Sequence, residues 1–169
     1  TPNTSSAASD VYKRQPSGLA IGGGFEVVLH CDYNVAHTNV VLGLVESLVG
    51  LIPAGGGCKE MLWRWLQTPE GKENSEHASM KVFDLIGYAI TATSPNEALP
   101  NQFFLEKDKV VINRDRQLST AIDLLNNIEG GYEKPSQPKF NLGGSAVRDK
   151  MFEKLEALYN ENKILDHGL

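Results

Sequence analysis

The sequence predicts an α/β fold, on three grounds. Two glycine triplets, Gly22 to Gly24 and Gly55 to Gly57, each launch a helical pattern, the first straight after the apolar segment Leu19 to Ile21. Runs of β-branched or aromatic residues at Tyr33 to Ala36 and Val40 to Leu42 have the composition of short strands. Farther along, apolar residues recur at three- and four-residue spacing, the period of a helix with one buried face. The recurring unit is strand, glycine turn, helix, twice over.

Taken in order, Phe25 to Cys31 reads as one or two buried helical turns closing at Asp32. Tyr33 to Ala36 and Val40 to Leu42 are strands on either side of the polar His37-Thr38-Asn39 turn. Glu46 to Val49 is a short helical turn before the Ile52-Pro53 break, and Cys58 to Leu66 is a helix with Met61, Leu62 and Trp65 on one face. Residues 67 to 79 are polar, contain Pro69 and Gly71, and are expected to be a surface loop. Ser75 is the expected N-cap of a helix over Glu76 to Ile90, and Ser94 to Ala98 has proline at the first helical position. Lys109 to Ile112 is a strand; Asp115 is the expected cap of a helix carrying Leu118, Ala121, Ile122, Leu125 and Ile128, stopped by Gly130-Gly131. Tyr132 to Asn141 has no apolar rhythm, and a last helix begins near Ser145 with Val147, Met151, Leu155 and Leu158 in a stripe.

At 169 residues the chain has the length of one domain and is short for two. Residues 1–15 are small, polar and aperiodic, and are expected to be a leader foreign to the fold or a disordered arm. Residues 16–131 form the expected domain, 132–144 a linker and 145–169 a C-terminal helical segment. Sixteen Lys and Arg against twenty-one Asp and Glu give a net charge of −5, with no electrostatic footprint for nucleic acid or an anionic membrane. Cys31 and Cys58 are too few for a disulfide framework, which points to a reducing, cytoplasmic setting. The longest apolar stretches fall far short of the roughly 20 residues that cross a bilayer.

The first turn of a helix leaves backbone N–H groups without intrahelical partners, and glycine lets a ligand oxygen approach them. Gly23 is therefore a candidate donor to a developing oxyanion. The dinucleotide fingerprint fails, because Val27 stands where the third glycine is required, and Gly55 to Lys59 is no P-loop, because Glu60 follows Lys59. Glu26 lies in an apolar run beside the first triplet's amides, and Glu46 is enclosed in sequence by Leu42, Leu44, Val45, Leu48 and Val49. Two such carboxylates suit general acid and base work on one bound water, although an isolated Glu in such surroundings is more often an N-cap or a satisfied core ion. The four histidines and two cysteines form no spaced ligand set, so no metal site is expected. Trp65 reads as core, and Lys107, Lys109, Arg114 and Arg116 as a solvated face more readily than a phosphate site.

The stretch GLAIGGGFEVVLHCDYNVAHTNVVLGLVESLVGLIPAGGGCK, residues 18–59, resembles the second half of the crotonase (enoyl-CoA hydratase/isomerase) core. The resemblance implies a crotonase-like spiral of β-β-α turns, partial here, that binds acyl-CoA thioesters with the thioester oxygen held by two backbone N–H groups. By position it makes Gly23 one of those donors, makes Glu26 and Glu46 the hydratase acids, and puts Gly22, Gly24, Pro53, Gly55 and Gly56 at the substrate. Val45 departs from the family's usual proline. LVESLVGLIPAGGGCKEML, with VVINRDRQLSTAIDLL farther on, is most similar to the hydratase-like part of multifunctional 3-hydroxyacyl-CoA dehydrogenases. That implies hydration of 2-enoyl-CoA in fatty-acid β-oxidation, with coenzyme A as part of the substrate and no cofactor in this segment. NAD, a first half with the second oxyanion donor, and much of the CoA pocket would belong outside this chain, which alone is expected to be poorly active. A homo-oligomer is compatible with the resemblance; the alternatives are a family isomerase, or a non-catalytic acyl-CoA-binding or subunit-interaction module.

Overall fold

A computed structural model describes residues 13–128, 139–140 and 142–164. The strands are β1 (Lys13–Arg14), β2 (Leu19–Ile21), β3 (Tyr33–His37), β4 (Val41–Gly43), β5 (Thr91–Ala92) and β6 (Lys109–Val111). The helices are α1 (Gly23–Leu29), α2 (Gly57–Gln67), α3 (Pro69–Glu73), α4 (Ser75–Gly87), α5 (Pro95–Ala98), α6 (Gln117–Ile128) and α7 (Gly144–Asn160). Two 3-10 turns, Glu46–Val49 and Arg114–Arg116, complete the described elements.

The first four strands alternate between two sheets. One has the order β1-β3-β6, parallel throughout, with Lys13 opposite Tyr33 and Val35 opposite Lys109. The other has the order β2-β4-β5, with β2 parallel to β4 (Leu19 opposite Val41) and β5 antiparallel to β4. The segments flanking His37-Thr38-Asn39 thus pair in different sheets. Asn39 shapes that corner: its side-chain oxygen accepts from the Gly18 N–H at 3.1 Å and lies 2.6 Å from His37 Nδ1. Helix α1 contributes Phe25, Val28 and Leu29 to a core shared with residues of both sheets and of α2 and α4, and Phe25 meets the Phe103 ring edge to face at 4.9 Å.

Several expected boundaries move. Residues 13 and 14 lie inside the fold, because the backbone of β1 pairs with β3 although nothing in its composition marks a strand. The expected loop at 67–79 contains α3 and the start of α4: Thr68 accepts from the Gly71 N–H at 3.0 Å with Pro69 at the first helical position. The cap of α4 is Asn74, whose Oδ1 accepts from Glu76 and His77, so Ser75 is already helical, and the helix ends at Gly87, short of Ile90. Asn113 caps the 3-10 turn that precedes α6, so Asp115 receives a cap and does not supply one. On α6 Ala121 is buried, but Leu118 is 64 % exposed and Ile122 46 %. The Gly130-Gly131 stop and most of the Tyr132 to Asn141 stretch lie outside the described residues.

Arg64 was not singled out from the sequence, yet it joins three layers. Its guanidinium, 5 % exposed, donates to the carbonyls of Leu29, Gln102 and Phe103 at 3.1, 3.1 and 2.8 Å. Burial lowers its pKa from the ordinary arginine value, and the carbonyls take the place of the lost water. Trp65 packs partly buried against the core, as expected.

Candidate active site

The carboxylates and both glycine triplets converge at the start of α1 and α2. Gly22 precedes α1 with φ +55°, a left-handed conformation that glycine adopts without strain, and its N–H donates to the Gly43 carbonyl on β4 at 2.9 Å. That bond turns the chain out of β2 and leaves Gly23 and Gly24 in the first helical turn, both exposed and with open space where a side chain would stand. Their N–H groups have no intrahelical acceptor. The helix begins two residues earlier than the apolar run because these glycines supply its first turn.

Glu26 is buried, at 8 % exposure. Its Oε1 accepts from the Gly57 N–H of α2 at 2.8 Å, so the carboxylate is tied to the second triplet and not, as its sequence position suggests, to the first. Gly57 is the residue missed in the sequence; its place at the start of a helix, with an orphan N–H, is the signal that could have found it. A Cβ on Gly55 would stand 2.4 Å from Glu26 Oε2, and Gly56, whose Cβ would meet the His30 ring at 2.8 Å, has φ +104°, a conformation that favours glycine. His30, one turn beyond Glu26, places Nδ1 2.7 Å from the Glu26 carbonyl. Pro53 is buried.

Glu46 is half-buried, and an added Cβ on Gly22 would lie 3.4 Å from its Oε1. Its apolar surround is thinner than its neighbours in sequence suggest, since the tight 3-10 turn leaves Leu48 74 % and Val49 73 % exposed. Even so, Glu46 Oε2 is buried and has no hydrogen-bond partner in the structure. The Cys58 thiol lies within the field of both carboxylates: burial pushes its pKa up, and the charge of Glu26 and then that of Glu46 add to the shift. Gly23, Glu26 and Gly55 share a cleft of about 300 Å³, edged by Arg14; Glu46 stands outside it, behind Gly22. The arrangement offers one pinned carboxylate, one with a free oxygen, and unpaired backbone donors. Among the described residues no group of three or more His, Cys, Asp or Glu could hold a metal ion, and no helix is long and apolar enough to cross a membrane.

Residues 16–73 match the family model for enoyl-CoA hydratase/isomerase. Over 130 residues, 76 % of this chain and 16 % of the relative, the sequence is 35 % identical to the Bacillus subtilis (strain 168) protein named "Probable 3-hydroxyacyl-CoA dehydrogenase". It is 39 % identical over 74 residues to the fatty acid oxidation complex subunit alpha of Idiomarina loihiensis, covering 39 % of this chain and 10 % of that one. A Thermobifida fusca YX protein assigned as an enoyl-CoA hydratase, solved in complex with acetoacetyl-CoA, superposes with a TM-score of 0.55 at 21 % identity, over 89 % of this chain and 48 % of its own. The chain carries a segment of the enoyl-CoA hydratase/isomerase family and has a crotonase-like α/β fold. It spans about half the length of the solved structure and 16 % of the Bacillus relative.

Proposed function

We propose that this chain is the second half of an enoyl-CoA hydratase module, which adds water across the double bond of a 2-enoyl-CoA within a longer protein of fatty-acid β-oxidation. The observation that carries the reading is the pair of unlike carboxylates beside the α1 glycines: Glu26 is pinned by the Gly57 N–H, while Glu46 keeps a buried oxygen without a partner. An unpaired buried carboxylate oxygen is costly, and a water lodged against it would relieve that cost. In this reading the two acids hold and deprotonate that water as it attacks the β-carbon, and Glu46 delivers a proton to the α-carbon. The Gly23 N–H donates to the thioester oxygen as it gains enolate charge. Gly22 and Gly24 keep side chains away from the thioester, and Pro53, Gly55 and Gly56 hold the turn that aims Gly57 at Glu26.

The likeness to a protein solved with acetoacetyl-CoA supports an acyl-CoA ligand. The relatives named for 3-hydroxyacyl-CoA dehydrogenase and for fatty acid oxidation support the metabolic setting. Water and the thioester are the only reactants the step needs, and the cysteine content favours a reducing, cytoplasmic compartment. The test is hydration of crotonyl-CoA by the full-length protein that carries this chain, followed as loss of the enoyl-thioester absorbance. Formation of 3-hydroxybutyryl-CoA supports the reading; double-bond migration without hydration replaces it with an isomerase.

A further inference from the structure

The hydrogen bond from the Gly57 N–H to Glu26 Oε1 spans two helices, so it lasts only while the start of α2 keeps its place beside α1. Gly55 and Gly57 both approach the carboxylate itself, and Leu44 also packs at Gly57. Gly56, between them, meets the His30 ring: a Cβ there would stand 2.8 Å from Cε1 and 2.9 Å from Nε2. His30 thus supports the turn from the α1 side without touching the carboxylate's proton.

The ring is itself anchored. His30 follows the last residue of α1, and its Nδ1 lies 2.7 Å from the Glu26 carbonyl. A carbonyl oxygen can only accept, so Nδ1 carries the hydrogen and donates it. On the far side Nε2 is 3.6 Å from Glu60 Oε1, too long for a hydrogen bond, and Lys59 Nζ holds the same oxygen at 2.6 Å. The bond to the Glu26 carbonyl is therefore what orients the ring. His30 also stands between the cleft that holds Gly23 and Glu26 and a cavity of about 890 Å³, with 41 % of its side chain exposed.

We propose that His30 is a positioning residue for Glu26: its ring, anchored on the Glu26 carbonyl, is the strut that seats the Gly56 turn so that the Gly57 N–H meets the Glu26 carboxylate. What Glu26 then does rests on the hydratase reading. In that reading the carboxylate gains and loses a proton, which weakens and restores its own hold on Gly57, while the strut keeps the start of α2 in place through the cycle.

The experiment uses the full-length protein and reads two quantities, amide hydrogen exchange resolved to Gly57 and the kinetics of crotonyl-CoA hydration. His30→Ala should speed Gly57 exchange at least ~10-fold while exchange in α4 is unchanged, since only the α1–α2 junction is released. It should lower kcat about 10-fold or more with KM within about 3-fold, because the acid is misplaced and substrate binding is not. Added imidazole, which can enter from the larger cavity, should restore most of both losses, whereas a general loss of folding would not respond. Glu60→Gln should leave both quantities within about 3-fold of the parent, since the pair it breaks is not what orients the ring. If His30→Ala fails to fold, ring nitrogen resonances of the unsubstituted protein, assigned with His30→Gln, decide the matter, and a proton should be found on Nδ1. Unchanged Gly57 exchange in His30→Ala, no rescue by imidazole, a Glu60→Gln variant as loose as His30→Ala, or an Nδ1 without a proton would each overturn the proposal. Absent hydration in the parent with these exchange results intact would instead overturn the hydratase reading and leave the strut standing.

Discussion

Glu26 and Glu46 differ in what holds them, and the difference can be tested residue by residue. In the full-length protein, Glu26→Gln and Glu46→Gln should each lower hydratase turnover by roughly 10² to 10⁴ while the melting temperature holds, because glutamine keeps the shape but cannot exchange a proton. With both acids proposed to serve one water, the double variant should lose little more than the worse single one. Near-normal turnover in either would remove that residue from the mechanism. Gly55→Ala probes the same carboxylate from behind: its Cβ would stand 2.4 Å from Glu26 Oε2, so the carboxylate must shift. We expect a loss of about 1–3 kcal/mol in stability together with reduced turnover, read by denaturant unfolding and a crotonyl-CoA assay. The thiols carry a pH signature. Burial raises the pKa of both Cys31 and Cys58 in the folded chain, so the folded state keeps protons that the unfolded state releases. Their contribution to stability is complete below the unfolded thiol pKa of about 8.5 and is lost as pH rises through the higher folded values. Unfolding midpoints of the parent and of a Cys31→Ala/Cys58→Ala variant should therefore diverge less at pH 9.5 than at pH 7, by roughly the linkage slope of these two groups.

At the scale of elements, the C-terminal helix and the short helix α3 illustrate two kinds of attachment. Helix α7 is joined to α4 by Lys150–Glu76 and Lys154–Asp84, all at least partly exposed, and by the buried Val147. Exposed ion pairs contribute only about 0–1 kcal/mol each, so truncating both lysines to alanine should barely move the melting temperature. Val147→Asp should free the helix, seen as faster amide exchange confined to 144–160. Helix α3 depends instead on its cap, and Thr68→Ala should cost about 1 kcal/mol. Its polar composition explains why the segment reads as a loop: QTPEGKE has no apolar stripe, and only the Thr68 hydroxyl, Pro69 and contact with α2 and α4 make it helical. Boundaries at strongly patterned elements were legible to within two residues, as at β3, the Glu46–Val49 turn and α2. The capping residue itself was misassigned at Asn74 and Asn113, although the helix starts moved by only one residue, because several neighbouring polar residues could each have capped.

Across the described residues, apolar side chains stand bare on β2 and in two connections: Leu19 is 75 % exposed, Ile112 83 % and Ile52 76 %. So much open apolar surface fits a chain that spans about half of its solved relative. If, as the proposed reading has it, the second oxyanion donor comes from outside this chain, the 169-residue chain alone should hydrate crotonyl-CoA poorly, because one such donor typically contributes about 10² to 10³ in turnover. It should also bind a hydrophobic dye that the full-length protein does not. Turnover by the chain alone at the level of a complete hydratase would show that one N–H donor, Gly23, suffices.

The linear order of residues was enough for the α/β class, for most helices and strands, and for the candidates Gly23, Glu26 and Glu46, because local periodicity and glycine-launched helices are properties of neighbouring residues. It also carried the family resemblance, through motifs confined to residues 18–59. Tertiary structure alone decided which amide holds Glu26, that Gly55 lies against the Glu26 carboxylate and Gly56 against the His30 ring, and that the strands flanking His37-Thr38-Asn39 belong to different sheets. It alone revealed Arg64 as the clamp across three segments and an apolar cavity between α2, α4 and α7. These are relations between residues some 30 to 90 positions apart, set by how helices and sheets stack around one core, and no local pattern of charge or hydrophobicity encodes them.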